Sequence, residues 1–186
     1  MAERSLILGR LRLFGVFVFI AVLLVIARPT PERVAAGAVV AAVGEAVRLW
    51  AAGHLKKSVV LATSGPYAHT QNPLYLGRLL ILTGLAIAAP TPYHLNLIAL
   101  LIGYAVFFLY YMPRKLRVEG GRLERIHGEA YARYRRSVPI LFPSLRRFPE
   151  GTERWSFAQM VRNQEPLVVL GLTLAFVFLA LRAGLV

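Results

Sequence analysis

Two residue types that carry much of enzyme chemistry are missing from this chain: its 186 residues include no cysteine and no aspartate. Without cysteine there are no disulfides, no thiolate nucleophile and no zinc-thiolate site. Without aspartate there is no Ser-His-Asp triad, and the sequence also contains no Gly-x-Gly-x-x-Gly or Walker loop. The four histidines do not pair with a carboxylate at metal-ligand spacing, so we expect no metal site.

Charged residues are scarce as well, at 17% of the chain, whereas 57% are hydrophobic. An average soluble domain has about 25% charged and about 45–50% apolar residues. Because a membrane helix needs about 20 apolar residues, runs of this kind predict an all-α, polytopic transmembrane helical bundle of about five spans. The predicted spans are Leu13–Ala27, Val34–Leu55, Leu74–Ala89, Tyr93–Met112 and Pro166–Leu181.

The chain reads as a single membrane domain over residues 1–186. Its basic start and first apolar run have the form of a signal peptide, but no small-residue cleavage site precedes Arg28, so we interpret the run as a retained span. Small residues in the second run, from Ala35 to Gly44, favour close helix packing in lipid. The turn Ala89-Pro90-Thr91-Pro92 predicts an antiparallel helical hairpin.

Acidic residues are few, with 9 against 22 basic ones. Twelve of the basic residues lie between Met112 and Pro166, and the opposite side of a five-span arrangement has few. The positive-inside rule therefore places the N-terminus and these basic loops in the cytoplasm, in an inner or cytoplasmic membrane. Nucleic-acid binding is not expected, because no basic stretch alternates with exposed aromatics on a soluble module.

After Met112 the sequence becomes charged, and apolar residues recur every three or four positions, from Leu123 to Tyr134. This spacing predicts a cytoplasmic amphipathic helix whose arginines meet anionic membrane lipids. Gly120-Gly121 and Gly128 leave open whether it is one long helix or two shorter ones with a bend.

The most informative stretch is 65–77, where the chain re-enters the membrane. Two prolines and a terminal glycine predict irregular backbone, which is tolerated at membrane depth only if protein buries it or it lines a cavity. Asn72 before Pro73 is equally typical of a simple helix N-cap, so capping and ligand binding are both open. The side chains available to a cavity here are those of Tyr67, His69, Asn72 and Tyr75.

Charged residues inside or beside the spans supply further candidates. Glu45 and Arg48 lie three residues apart on one helix face and are predicted either to serve a polar site or only to pair with each other. Glu119 is the carboxylate nearest the end of the fourth span and could receive a cationic part of a ligand. Glu124 and Glu129 are expected to be solvated.

These motifs, taken in order, resemble the integral membrane methyltransferases that include isoprenylcysteine carboxyl methyltransferase and the phosphatidylethanolamine N-methyltransferases. The resemblance covers residues 45–143 and leaves the last span, 166–186, as an addition. It rests on Arg48-Leu49-Trp50, Gly65-Pro66-Tyr67, Asn72-Pro73-Leu74-Tyr75-Leu76-Gly77, a helical hairpin, and then Glu119, Leu123, Gly128, Tyr131, Tyr134 and Val138-Pro139.

The resemblance implies S-adenosylmethionine as methyl donor and a lipophilic acceptor, either a prenylcysteine-type carboxylate or a phospholipid amine. It gives Glu119 the role of holding the charged amino-acid end of the donor. Together with the intramembrane charges, this predicts Glu45, Arg48, Tyr75 and Glu119 as the catalytic residues. The donor pocket would be formed by Tyr67, His69, Gln71, Asn72, Pro73, Tyr75, Gly77, Glu119, Leu123, Tyr131 and Tyr134.

Two positions depart from the family pattern. Gln71-Asn72 stands where the family often has Arg-His, and Glu119-Gly120 where it often has two glutamates. Loss of the arginine removes a cation that could hold an acceptor carboxylate. An amine acceptor would instead need a base, for which Glu119, Glu45 and His69 are the candidates. Two other functions stay open: an NADPH-dependent membrane reductase and a non-enzymatic lipid-binding bundle.

Overall fold

The computed structural model describes residues 14–15, 18–56, 60–149 and 151–185. Every regular element in these ranges is helical, and none is a strand, so the predicted all-α transmembrane bundle is confirmed. Seven helices can be numbered in chain order. They are α1 (18–26), α2 (Pro31–His54), α3 (Pro73–Ala88), α4 (Leu95–Val106), α5 (Met112–Ser137), α6 (Phe157–Arg162) and α7 (Glu165–Arg182).

Fewer spans are found than the five predicted. Within the described residues, three helices are long and apolar enough to cross a membrane: α2, the continuous helix Pro92–Ser137, and α7. The third predicted span corresponds to α3, which is apolar but has only 16 residues. The first predicted span begins at Leu13, which lies outside the described residues, and its described part includes α1.

The packing of α2 against α3 is the closest in the bundle, and glycines make it possible. A Cβ on Gly37 would lie 2.3 Å from the carbonyl oxygen of Gly84, and one on Gly44 would lie 2.7 Å from that of Gly77. Both contacts are impossible for any larger residue. The predicted small-residue interface of the second span is therefore this contact with α3.

At one end of the bundle, the start of α2, the end of α3 and the end of α7 meet in an apolar cluster. Ala27, Val34, Ala88, Ala89 and Leu179 are buried there against one another. The end of α2, the start of α3 and the start of α7 lie at the opposite end of the bundle. The segments 60–72 and 138–165, which connect to these helices, lie at that end too.

The fourth span continues into the amphipathic helix without a break. The chain is helical from Leu95 through Ser137, with a π-helical turn at Phe107–Tyr111. Pro113 has no amide hydrogen and would clash with the preceding turn of an α-helix, and this wide turn lies directly before it. Of the glycines expected to bend α5, only Gly128 is non-helical (φ 49°, ψ −124°), so the bend lies there.

Candidate functional site

The irregular segment before α3 is held by the chain that follows α5. It contains a 3-10 turn, Gly65–Ala68, and its backbone pairs with the later segment: the Ser144 amide donates to the His69 carbonyl at 2.9 Å. The Thr70 hydroxyl donates to the Leu141 carbonyl at 2.8 Å and is almost fully buried. Protein therefore covers this backbone and satisfies its polar groups, as non-helical structure near a membrane requires.

Beside this segment lies a cavity of about 540 Å³, enclosed by α2, α3, α5 and the start of α7. Most residues predicted for the site line it, although they come from three separate parts of the sequence. These are Arg48, Tyr67, Gln71, Asn72, Pro73, Tyr75, Glu119, Leu123, Tyr131 and Tyr134. The lining does not include Glu45, His69 or Gly77.

Asn72 and Glu119 are connected across the cavity wall by Lys115, which sequence reasoning missed. The Lys115 ammonium donates to Asn72 Oδ1 and lies 3.0 Å from Glu119 Oε2. Asn72 precedes Pro73 at the N-cap position but makes no side-chain capping bond, and its Nδ2 donates to the Ile140 carbonyl at 2.8 Å. Asn72 therefore occupies the predicted N-cap position, but its side chain connects other segments of the site instead of capping the helix.

Two further predicted residues connect segments of the cavity wall by hydrogen bonds to backbone carbonyls. Gln71 Nε2 donates to the Val138 carbonyl at 2.6 Å, and the Tyr134 hydroxyl donates to the Tyr67 carbonyl at 2.9 Å. Burial raises the pKa of the Tyr67 phenol, and the nearby Tyr134 raises it further. Tyr67 is therefore a neutral hydroxyl at physiological pH and cannot act as a base.

Tyr75 lies at the junction of α3, α5 and the π-helical turn. Its hydroxyl is 2.9 Å from the hydroxyl of Tyr111, and its ring also packs against Phe107. Two cations approach the ring: Arg78 Cζ is 5.4 Å and Lys115 Nζ is 4.9 Å from its centroid. Cation–π attraction thus concentrates positive charge at this side of the cavity.

Arg48 lines the cavity, and its main partner is not the predicted one. Its guanidinium makes a bidentate contact with Glu165, the first residue of α7, with Nη2 2.8 Å from both carboxylate oxygens. Glu45 is more distant, with Oε2 3.7 Å from Arg48 Nε. The predicted mutual pair is therefore the weaker contact, and the main partner lies 117 residues along the chain. Gly77 leaves room for the arginine, since a Cβ there would be 2.5 Å from Arg48 Cγ.

His69 does not face the cavity, because its Nδ1 lies 2.8 Å from the Ser144 carbonyl oxygen. Among the predicted donor-pocket residues, His69 is thus one that the cavity lining does not include. The lining includes several residues that the sequence prediction left out, notably Lys115, Arg78 and Glu165. Lys115 could have been found as a cation one helical turn before Glu119. No local pattern marks Glu165, which directly precedes the last predicted span.

Comparisons with known proteins give one distant relative. No family model and no solved structure matches the chain. The chain is similar to the cobalt-zinc-cadmium resistance protein CzcN of Cupriavidus metallidurans, with 32% identity over 111 residues. The match covers 59% of this chain and 48% of the relative, so the chain spans about half the length of that protein. Among the described residues, no group of three His, Cys, Asp or Glu side chains could hold a metal ion.

Proposed function

We propose that the protein transfers a methyl group from S-adenosylmethionine to a lipophilic acceptor at the membrane. The observation that carries the proposal is the common cavity: the polar segment before α3 and the acid-bearing face of α5 enclose it together, with Lys115 joining Asn72 to Glu119. These are the two parts of the sequence that resemble the membrane methyltransferases of the isoprenylcysteine and phospholipid type.

The residues present fit the donor in size and chemistry. A volume of about 540 Å³ is within the range of small-molecule pockets. The Glu119 side chain is 52% exposed although it contacts Lys115, so it can still accept a hydrogen bond from the amino-acid end of the donor. Leu123 and Tyr131 offer apolar and aromatic surface beside it. When bound, the donor supplies a methyl group on a positively charged sulfur.

For such an in-line displacement the protein mainly aligns the reactants and excludes water. Tyr75 and Arg78 line the cavity on the α3 side, next to the exposed aromatics of the π-helical turn, where a lipophilic acceptor can approach from the bilayer. A carboxylate acceptor needs no base, and Arg78 can orient it. An amine acceptor must lose a proton, and Glu119 is the carboxylate placed to take it.

The proposed orientation has the cavity end in the cytoplasm. This end holds the connector 138–165 and the charged half of α5, which contain most of the basic residues of the chain. The positive-inside bias then places donor binding on the side where S-adenosylmethionine is made.

A second candidate is an NADPH-dependent reductase, which is favoured by the basic lining of the cavity. Arg48, Lys56, Arg78, Lys115 and Arg122 all contribute to its wall. Arginines and lysines of this kind bind phosphate groups well. The two candidates differ in the ligand that the purified protein must bind.

The test is isothermal titration of the detergent-purified full chain with S-adenosylhomocysteine and, separately, with NADPH. We expect the first to bind and the second not to bind. Glu119→Gln should weaken S-adenosylhomocysteine binding about tenfold or more, because a hydrogen bond to a charged group contributes about 1.5–3 kcal/mol. Glu124→Gln is the matched control, since Glu124 is an exposed acid of the same helix outside the cavity.

Absence of S-adenosylhomocysteine binding by the wild-type chain would overturn the proposal, and NADPH binding would favour the reductase. Equal binding by wild type and Glu119→Gln would show that the donor site is elsewhere. Incubation with methyl-labelled donor followed by mass spectrometry of extracted lipids identifies the acceptor.

A further inference from the structure

Three ionisable side chains meet where α2 contacts the start of α7, and two of them are acids that contact the same arginine. Arg48 donates hydrogen bonds to Glu165 from both Nε and Nη2, at 3.1 and 2.8 Å. Glu45 is 3.7 Å from the same guanidinium, and both its carboxyl oxygens are buried with no hydrogen-bond partner among the described residues. Two acids thus share a single arginine.

Burial makes this arrangement costly. The side chains of Arg48, Glu45 and Glu165 are only 8%, 9% and 4% exposed. A buried carboxylate without a partner is strongly destabilising, whereas a matched number of opposite charges is tolerated. With both acids ionised, the cluster needs one further positive charge.

That charge can come from the cavity. Arg48 and Glu165 both line it, so a ligand inside reaches the cluster directly. Two of the other cations in the wall are already engaged, since Lys56 pairs with Glu153 and Lys115 with Glu119.

We propose that Glu165 binds the ammonium group of an amphiphilic ligand, and that Arg48 transfers from Glu165 to Glu45 when the ligand arrives. A charge-assisted hydrogen bond is about 2.7–2.9 Å long, so Arg48 Nε, at 3.7 Å from Glu45, needs to move by only about 1 Å. After the exchange each carboxylate has a cation. The ligand is amphiphilic because Arg48 and Glu165 belong to two of the helices long enough to span the membrane. Because the site lies in the cavity of the proposed methyl transfer, this inference deepens that function and rests on it: it assigns the residue that binds the head group of an amine acceptor.

The test compares three probes with the same chain length and different head charge: decylamine, decan-1-ol and decanoate. Binding to the full-length protein in detergent is followed by titration calorimetry at neutral pH, where the amine is protonated. We expect the amine to bind about tenfold more tightly than the alcohol, as one charge-assisted bond implies. Glu165→Gln should remove this preference and leave alcohol binding unchanged.

Glu45→Gln separates partner exchange from simple binding. It leaves the Arg48 to Glu165 contact intact and so keeps the fold, but it removes the second position for the arginine. The preference for the amine should therefore fall several-fold. Glu129→Gln, which changes an exposed acid outside the cavity, should keep the full preference.

Equal binding of amine and alcohol to the wild-type protein, or tighter binding of decanoate, would overturn the proposal. So would an unchanged amine preference in Glu165→Gln. An unchanged preference in Glu45→Gln would overturn the partner exchange. Because no probe is a methyl donor, these outcomes are independent of S-adenosylhomocysteine binding.

Discussion

Removal of Arg48 tests most directly how the last helix is held to the rest of the bundle. Arg48→Met keeps the unbranched first part of the side chain, which lies against Gly77, but leaves two buried carboxylates, Glu165 and Glu45, without a cation. Loss of one partner from a buried ion pair costs about 3–5 kcal/mol. We expect the free energy of unfolding to fall by this amount.

The same geometry predicts smaller effects for the two acids. Glu165→Gln should cost about 1.5–3 kcal/mol, because it removes charged hydrogen bonds but leaves Arg48 beside Glu45. Glu45→Gln should not lower the free energy of unfolding, because the Glu45 oxygens have no hydrogen-bond partner among the described residues and the variant removes a buried carboxylate without one. The predicted order of destabilisation is therefore Arg48→Met, then Glu165→Gln, then Glu45→Gln.

Thermal unfolding in detergent, followed by the fluorescence of the two tryptophans, measures this order. For a chain of this size, 1 kcal/mol shifts the Tm by about 2–4 °C, so Arg48→Met should lower it by about 6–20 °C. The reasoning is refuted if Glu165→Gln is as destabilising as Arg48→Met, since Glu45 would then not act as a second partner. It is also refuted if Glu45→Gln is the most destabilising variant.

Two glycine substitutions give further predictions, each with a control in the same fold. Gly84→Ala should lower the free energy of unfolding by about 1–3 kcal/mol, because its Cβ would lie 2.5 Å from the Gly37 carbonyl oxygen. Gly103→Ala is the control: Gly103 has open space around it, so this variant should not be destabilised in the same thermal assay. Gly128→Ala should destabilise the bend of α5, because φ is 49° there; Gly121→Ala in the same helix should stabilise it by about 0.5–1 kcal/mol. If the two variants of either pair unfold at the same temperature, the assigned packing or bend is wrong.

Helix positions were largely predictable from the sequence. The second, third and last apolar runs differ by only a few residues from α2, α3 and α7. The reason is local: apolar composition and flanking prolines specify where a helix begins and that it enters a membrane. The expected end at Met112 was wrong because a π-helical turn accommodates Pro113, and nothing in the composition distinguishes this from a break.

The candidate site was also predictable in part: the sequence identified most of its residues but not the partners of their side chains. Stretch 65–77 stood out because its prolines and polar residues interrupt an apolar chain, and ten of the predicted residues do line the cavity. The roles of Asn72 and His69 were not predictable, because each forms its bond with the segment after α5, at Ile140 and Ser144 respectively.

The sequence by itself determined that this is a membrane protein made of helices, and it identified the polar stretch that opens α3. Periodicity and composition act over neighbouring residues, so they carry this information without reference to the rest of the chain. Only the tertiary structure decided that Arg48 pairs with Glu165 and that a cavity lies beside them. It also decided that the Glu45 carboxyl oxygens have no hydrogen-bond partner among the described residues. These contacts depend on how α2, α3 and α7 pack on one another. Close glycine contacts between residues far apart in the chain fix α2 against α3, and the Arg48 to Glu165 pair joins α7 to α2.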